Sequence, residues 1–231
     1  MPNKIMIVTD SNGNPRSFPA SELVELEETY PYLFRDWFKG PTFWQLSHGN
    51  ITTSQLVSQP MGYLTHWHPD IIIVQSGITD CRPEAFSDLE KDILNKLTWK
   101  FFDRFKKYMN HPAWIRRRQV YRSSKSSFRT AIRKFQLAFP RSKIFWLEIF
   151  ADPRHEQRRP GISRRMAEYN EIIKEVYGGD FVPVQQKIMD VDGFNSRDHE
   201  HLNTRGHQAV ADILIERVER AVLKSVKGPL I

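Results

Sequence analysis

Near its two ends the sequence carries polar residues whose types and spacing suit acyl transfer. Ser11 directly follows a short apolar run and a turn signal, and Asp198 stands three residues before His201 in a polar, turn-rich segment. A carboxylate at that spacing can accept a hydrogen bond from one ring nitrogen of the histidine and leave the other facing a substrate, which is the geometry of a base. A nucleophile, an orienting acid and a base therefore occur in the chain order Ser, Asp, His.

The position of the serine depends on the first predicted strand. Ile5 to Val8 are four consecutive apolar residues, too few for a helix and too apolar for a half-exposed strand, so they predict a central strand buried on both faces. The turn-forming residues Thr9 to Pro15 then place Ser11 just beyond the carboxyl end of that strand. Open α/β sheets bind their ligands at that end.

Strands and helices are predicted to alternate along the rest of the chain, which favours a parallel sheet covered on both sides. The other predicted strands are Thr42–Ser47, Pro69–Ser76, Lys143–Ile149 and Phe181–Val184. The predicted helices are Ser21–Tyr30, one that starts at Thr52 or Thr53, Phe86 to about Met109, Ser126–Phe139, Ile162–Val176, and Thr204 to about Lys224.

Length and composition favour one domain over residues 1–231, without linkers or internal repeats. The sequence runs directly into the first strand, and no segment approaches the roughly 18 apolar residues that cross a bilayer, so we expect a cytoplasmic protein. The only cysteine, Cys81, excludes an internal disulfide.

The net charge of +7 is concentrated in a basic helical segment at about residues 100–134, where Asp103 is the only acid. Its cations are Lys100, Arg104, Lys106, Lys107, Arg116, Arg117, Arg118, Arg122, Lys125, Arg129, Arg133 and Lys134. Such a segment either attracts an anionic partner, such as nucleic acid, an acidic glycan, a phosphorylated or lipid-linked sugar or a membrane surface, or is a solvated helical face.

Four short motifs, in their order along the chain, resemble blocks I, II, III and V of the SGNH, or GDSL-like, hydrolases. They are Asp10-Ser11, Gly49, Gly77-Ile-Thr-Asp80 and Asp198-x-x-His201. The resemblance extends from residue 4 to about residue 215. It is greatest to a subset with Pro-Arg after the serine and Asp-Cys-x-Pro in block III, often linked to bacterial surface-polysaccharide synthesis.

This resemblance implies a three-layer, flavodoxin-like α/β fold with a five-stranded parallel sheet ordered 2-1-3-4-5. It implies that Ser11 is the nucleophile, His201 the base and Asp198 its orienting acid. The backbone amides of Ser11 and Gly49 would form the oxyanion hole. Candidate substrate-binding residues near these motifs are Asp10, Arg16, Asp80 and Arg82.

Two positions depart from the family pattern. Thr9 stands where block I usually begins with glycine, and Thr79 stands where block III usually has an asparagine that donates to the oxyanion. A threonine hydroxyl is shorter, and loss of one such donor typically costs about 100- to 1,000-fold in turnover. Arg16 or Arg82 are alternative donors.

Three functions fit these residues. The first is a serine-dependent esterase or deacylase, for O- or N-acetyl groups, acting on a carbohydrate or polysaccharide precursor. The second is an acyltransferase to a sugar hydroxyl that uses the same site. The third is a weakly catalytic or non-catalytic protein that binds glycan or nucleic acid on a hydrolase scaffold. We expect an acylated carbohydrate, rather than nucleic acid, as the partner.

The structural alternatives are simpler. Ser11 could be no more than a helix cap, and Asp80 could accept hydrogen bonds from the amides of its turn. Asp198 could cap its loop, and His201 could pack under the last helix. A metal site shared by the pairs His66-x-His68 and His199-x-His201 is not expected, because a strand of six residues separates them by about 20 Å. No cofactor is predicted.

Overall fold

The computed structural model describes residues 2–97 and 110–226. Its strands are β1 (Lys4–Thr9), β2 (Thr42–Ser47), β3 (Ile71–Gln75), β4 (Lys143–Leu147) and β5 (Phe181–Val182). Neighbouring strands are parallel, and their order is β2-β1-β3-β4-β5. The predicted sheet and its strand order are confirmed. The strand order reverses between β1 and β3, where this class of sheet binds ligands.

Helices cover both faces of the sheet. Within the described residues they are α1 (Tyr30–Trp37), α2 (Thr53–Tyr63), α3 (Ile78–Cys81), α4 (Asp88–Leu97), α5 (Pro112–Arg118), α6 (Lys125–Ala138), α7 (His155–Arg158), α8 (Ile162–Tyr177), α9 (Gln185–Asp190) and α10 (Thr204–Val226). None of these helices combines the length and the apolar character needed to cross a bilayer.

The two faces of the sheet bury alternate residues of the same strand. Met6 and Val8 belong to the core that includes α2, α6 and α8, whereas Ile5 and Ile7 belong to the core that includes α1 and α10. Because successive side chains of a strand point to opposite faces, a strand of the middle layer has to be apolar at every position. The turn that carries Ser11 therefore begins from a strand that is packed on both sides.

The segment between β1 and α1 differs from the helix predicted over Ser21–Tyr30. Two 3-10 turns, Ala20–Glu22 and Leu26–Glu28, occupy it, and α1 begins only after them. Between the turns, the backbone N–H and carbonyl of Val24 pair with those of Arg16, at 2.8 Å in both directions. The helix prediction was wrong here because a backbone held by another segment cannot join a helical ladder.

The predicted basic segment falls partly outside the described residues, as does the end of the helix predicted from Phe86 to about Met109. Its described part includes α5, which the sequence analysis did not predict, and most of α6. Four cations lie close to acids: Arg118–Glu90 at 2.6 Å, Arg122–Asp88 at 3.3 Å, Lys125–Glu168 at 2.8 Å and Arg129–Glu175 at 2.5 Å. Because acids neutralise these four cations, the described part of the segment is less positive than the sequence indicates. Arg116 and Arg117 form no ion pair with a described residue.

Helices α1 and α10 meet at a buried histidine. The backbone N–H of Tyr30 donates to Nδ1 of His207 at 3.1 Å, so we assign a neutral ring with its proton on Nε2. The rings of the two residues stack with their centroids 5.9 Å apart. Burial, with a smaller contribution from the charge of Arg16, lowers the pKa of His207 from 6.5 to about 3.

Acidification should therefore destabilise the fold through His207. The folded protein keeps this ring neutral, whereas the unfolded chain binds a proton below about pH 6.5, so stability falls as the pH drops from there towards 3. Between pH 7 and pH 5 this residue should lower the free energy of unfolding by about 2 kcal/mol.

Urea unfolding of the wild type and of His207→Asn at these two pH values measures that contribution. The asparagine oxygen can still accept from Tyr30 but does not titrate, so the variant should lose about 2 kcal/mol less on acidification. Other titrating groups, such as Asp10, act alike in both proteins. Equal losses would contradict the prediction.

Candidate active site

The turn after β1 is held by the side chain of Asp10. One carboxylate oxygen accepts from the backbone N–H of Asn12 at 2.9 Å, which caps a 3-10 turn over Ser11–Gly13. The other oxygen accepts from the side-chain amide of Gln75, at the end of β3, at 3.2 Å. Such a cap satisfies N–H groups that the turn leaves free. Ser11 therefore stands at the carboxyl end of β1, where the sequence places it.

Thr9 stands where SGNH hydrolases usually have glycine, and Gly13 makes room for it. Thr9 is fully buried, and a β-carbon at residue 13 would lie 2.4 Å from both Cγ2 and Oγ1 of Thr9. The Thr9 hydroxyl donates to the carbonyl of Asp10 at 2.9 Å. The turn thus tolerates this departure, because the position without a side chain is residue 13 instead of residue 9.

Hydrogen-bond contacts join Ser11, His201 and Asp198. Ser11 Oγ lies 2.8 Å from His201 Nε2, and His201 Nδ1 lies 2.8 Å from Asp198 Oδ2. Because a carboxylate accepts, we assign the ring proton of His201 to Nδ1, which leaves Nε2 as acceptor for the serine hydroxyl. The structure thus brings together side chains that lie 190 positions apart in the sequence.

Asp198 is itself held by its surroundings. Its other oxygen, Oδ1, accepts from the backbone N–H groups of Glu200 and His201, each at 3.0 Å. Nδ1 of the buried His155 lies 2.9 Å from the carbonyl of Asp198, and its Nε2 lies 3.4 Å from a carboxylate oxygen of Glu200. Burial lowers the pKa of His155, and the charge of Glu200 opposes this shift. His155, which was not predicted from the sequence, therefore contacts the Asp198 loop and restrains it.

Gly49 lies directly beside the candidate nucleophile. A β-carbon on Gly49 would be 3.4 Å from Cβ of Ser11, and the preceding His48 N–H bonds to the carbonyl of Thr9 at 3.0 Å. Within the described residues, the amides of Ser11 and Gly49 donate to no other group. Two available amides next to a serine hydroxyl are the donors that an oxyanion hole requires.

Thr79, the third residue predicted for the oxyanion hole, lies on α3 immediately after β3. Gly77, with φ of 130°, allows the tight turn between the strand and this helix. Thr79 is buried, and its hydroxyl bonds to no other group in the described parts of the chain. The expectation that this hydroxyl is too short to donate to an oxyanion stays a prediction.

The two acids predicted to bind substrate are instead buried, each being 1% exposed. Asp80 Oδ2 accepts from the backbone N–H of Thr53 at 2.8 Å and from its hydroxyl at 2.7 Å, which ties α3 to the start of α2. Desolvation raises the pKa of Asp10 to about 7 and also raises that of Asp80. The burial of Asp10 and Asp80 corrects the prediction, because both carboxylates hold turns from within the fold.

The two arginines predicted to bind substrate have different surroundings. Arg16 is half-buried; burial lowers its pKa, and the carboxylates of Asp198 and Glu200 oppose this shift, so its guanidinium interacts with the charge of the candidate orienting acid. Arg82 donates to the side-chain oxygen of Asn50 at 2.7 Å. Arg16 therefore remains a candidate for substrate contact, whereas Arg82 contacts the loop that carries Gly49.

The two pairs of histidines lie at different places in the fold. His66 belongs to the 3-10 turn Thr65–Trp67 before β3, at the opposite end of the sheet from His201. Across residues 2–97 and 110–226, no three His, Cys, Asp or Glu side chains are placed to hold a metal ion.

No protein-family model and no curated protein sequence matches this chain. Solved structures match it over nearly its whole length. The lipase/acylhydrolase from Enterococcus faecalis has a TM-score of 0.65 at 13% identity, over 95% of this chain and 96% of the other. The acetylxylan esterase from Geobacillus stearothermophilus has a TM-score of 0.61 at 18% identity, over 94% of each chain. The chain has the SGNH-hydrolase type of α/β fold.

A third structure with this fold, the psychrotrophic esterase EstA from Pseudoalteromonas sp., has a TM-score of 0.56 at 14% identity, over 95% of this chain and 98% of the other. Identities this low establish the SGNH fold alone. The chemistry of the present chain therefore has to be argued from the side chains at the ends of its strands.

Proposed function

We propose that this chain is a serine-dependent esterase, or deacylase, that removes an O- or N-acetyl group from a carbohydrate or polysaccharide precursor. The observation that carries this proposal is the pair of 2.8 Å contacts joining Ser11, His201 and Asp198. A serine hydroxyl is a weak nucleophile, so such an enzyme needs a base within hydrogen-bond reach and an acid that orients the base.

In the proposed reaction, His201 Nε2 accepts the proton of Ser11 while Oγ attacks the acetyl carbonyl carbon. The carbonyl oxygen becomes negatively charged, and the amides of Ser11 and Gly49 donate to it. As the intermediate collapses, the bond to the sugar oxygen breaks and His201 returns the proton to that oxygen. Water, deprotonated by His201, then attacks the acyl carbon; the bond to Oγ breaks, His201 returns the proton to Oγ, and acetate leaves. Asp198 orients the imidazole and stabilises its charged form.

A polar groove beside the Gly49 loop offers space for the carbohydrate. It has a volume of about 640 Å³ and is lined by amide, aromatic and charged side chains, among them Asn50, Gln55, Phe86, Tyr121 and Arg122. Ligand sites of this size combine such surfaces with a few fixed polar groups. Among proteins of similar fold, one is an acetylxylan esterase, and a catalytic mutant of it replaces a serine with alanine. The similarity to that enzyme favours a serine-dependent reaction on an acetylated glycan here, and the groove provides space for the glycan.

Acetate release from acetylated xylo-oligosaccharides and from a small acetyl ester tests the proposal. We expect turnover by the wild type and none by Ser11→Ala. Addition of a free sugar acceptor separates hydrolysis from acyl transfer, because a transferase would accumulate acetylated acceptor in place of acetate. Glycan binding without turnover of any acetyl substrate would instead favour a binding protein on a hydrolase scaffold.

The partner of α5 is part of the same proposal. Arg116 and Arg117, on this helix, would attract an anionic or lipid-linked glycan, or a membrane surface that carries one. Such attraction is screened by salt, so binding of the large substrate should weaken with ionic strength while hydrolysis of a small neutral ester should not.

Thr79→Asn should raise kcat on a small acetyl ester by about tenfold, the scale of a partly recovered oxyanion donor. The asparagine amide extends farther than the threonine hydroxyl and is itself a donor. Thr79→Val is the matched control, because it keeps the shape of threonine without its hydroxyl; its kcat should equal that of the wild type. A lower kcat for Thr79→Asn would contradict the prediction and direct attention to Arg16.

A further inference from the structure

The loop between β2 and α2 carries Gly49, whose amide the proposed reaction uses. It starts where His48 bonds to the carbonyl of Thr9 and ends where Thr52 caps α2. Between these points Asn50 is exposed and has φ of 60°, a left-handed conformation that asparagine adopts more readily than most residues. A short exposed loop needs contacts from elsewhere to keep one conformation.

Two arginines from distant parts of the sequence supply such contacts. Arg82, just after α3, donates to Oδ1 of Asn50 at 2.7 Å. Arg122, before α6, donates to the backbone carbonyl of Asn50 at 3.1 Å and to its Oδ1 at 3.2 Å. Because Arg122 binds both the main chain and the side chain of Asn50, it restrains the residue that directly follows Gly49.

The carboxylate of Glu84 lies close to both arginines. Its side chain is 9% exposed, and its carboxylate lies 3.6 Å from Arg82, 3.4 Å from Nε of Arg122, and within contact of Lys91. Its backbone pairs with that of Val120 in both directions, which brings the Arg122 segment alongside. A carboxylate this buried is stable only when paired, so its charge holds the guanidinium groups of Arg82 and Arg122 close to it.

We propose that Arg82 and Arg122, held close by the charge of Glu84, are positioning residues that hold the Gly49 amide in place for the oxyanion through their contacts with Asn50. This inference rests on the proposed esterase function. Preorganised donors stabilise developing charge because they need no reorientation during the reaction. With threonine at position 79, the hole depends on its two backbone amides, so the position of the Gly49 amide matters more.

Steady-state kinetics on a small acetyl ester tests this role. Arg82→Ala and Arg122→Ala should each lower kcat by about 10- to 100-fold, less than the loss of a whole donor, with KM nearly unchanged. Arg122→Lys should be intermediate, because a single ammonium cannot contact Asn50 and Asp88 at the same time, as Nη1 and Nη2 of Arg122 do. Asn50→Ala, which removes the side-chain acceptor of both arginines, should lower kcat as Arg122→Ala does.

The matched control is Arg118→Ala. Arg118 pairs with Glu90 at 2.6 Å and forms no hydrogen bond with Asn50 among the described residues. This variant should match the wild type. Amide hydrogen exchange at residues 48–51 gives a second readout: exchange should increase in Arg82→Ala and Arg122→Ala, but not in Arg118→Ala.

The outcomes separate this inference from the proposed function. If the wild type is active and Arg82→Ala and Arg122→Ala match it in both kcat and loop exchange, the inference is wrong and the esterase proposal stands. If those variants change only KM, the arginines bind substrate instead, which also overturns it. An inactive wild type would refute the esterase proposal, and with it the role of the arginines in the oxyanion hole.

Discussion

Ser11→Ala is expected to lower kcat on a small acetyl ester by about a million-fold, the loss typical when a serine or histidine is removed from such a relay. Among the described residues, Ser11 has the hydroxyl that lies within hydrogen-bond distance of His201 Nε2. Without it the two amides could still stabilise an oxyanion, but no oxygen would remain in place to form the acyl-enzyme. Acetate release under saturating substrate measures the effect.

Ser47→Ala is the matched control. Ser47 pairs with Thr9 in the sheet register, so it lies at the same end of the neighbouring strand, and its hydroxyl accepts from Gln45. This variant should keep wild-type activity. A similar loss in both serine variants would indicate damage to the sheet end instead of loss of a nucleophile.

His201→Ala should be about as damaging as Ser11→Ala, and the double variant should be little slower than either. The two groups act on one proton, so removal of either disables the other. Multiplicative losses in the double variant would show that they act separately. His66→Ala, at the far end of the sheet, should have no effect.

Asp198→Asn is expected to lower kcat by about 10,000-fold, less than Ser11→Ala, because it reverses the tautomer of His201. Oδ1 of Asp198 accepts from two backbone N–H groups, so the amide nitrogen of asparagine has to take the place of Oδ2. That nitrogen donates to His201 Nδ1, which moves the ring proton to Nε2. Nε2 can then no longer accept the proton of Ser11.

Comparison with Asp198→Ala separates orientation from capping. Alanine removes the loop cap as well as the orienting oxygen, so it should also lower the melting temperature, whereas asparagine should largely preserve it. A loss of less than about tenfold for Asp198→Asn would contradict a role in orienting the base and leave Asp198 as a cap.

The sheet could be predicted from sequence because its signal is local. A central strand buried on both faces has to be continuously apolar, as Ile5 to Val8 are, and its turn residues follow immediately. The order of Ser11, Gly49, Asp198 and His201 along the chain was likewise visible. The helix expected over Ser21–Tyr30 failed because the pairing of Val24 with Arg16 depends on how the chain folds back.

Side-chain direction was the part that the sequence could not supply. Asp80 is near the motif in sequence, yet its carboxylate points to Thr53, 27 positions earlier. Arg122 reaches Asn50 across 72 positions, and His155 reaches Asp198 across 43. Contacts at these separations leave no spacing pattern in the sequence, since each depends on how helices and strands pack together.

The most direct test of the proposed nucleophile is peptide mapping by mass spectrometry after treatment with a fluorophosphonate. We predict one adduct, on Ser11, that forms in the folded wild type, is absent after unfolding in urea, and forms far more slowly in His201→Ala. An adduct on another residue, or equal labelling of wild type and His201→Ala, would contradict the assignment of Ser11 as a nucleophile activated by His201.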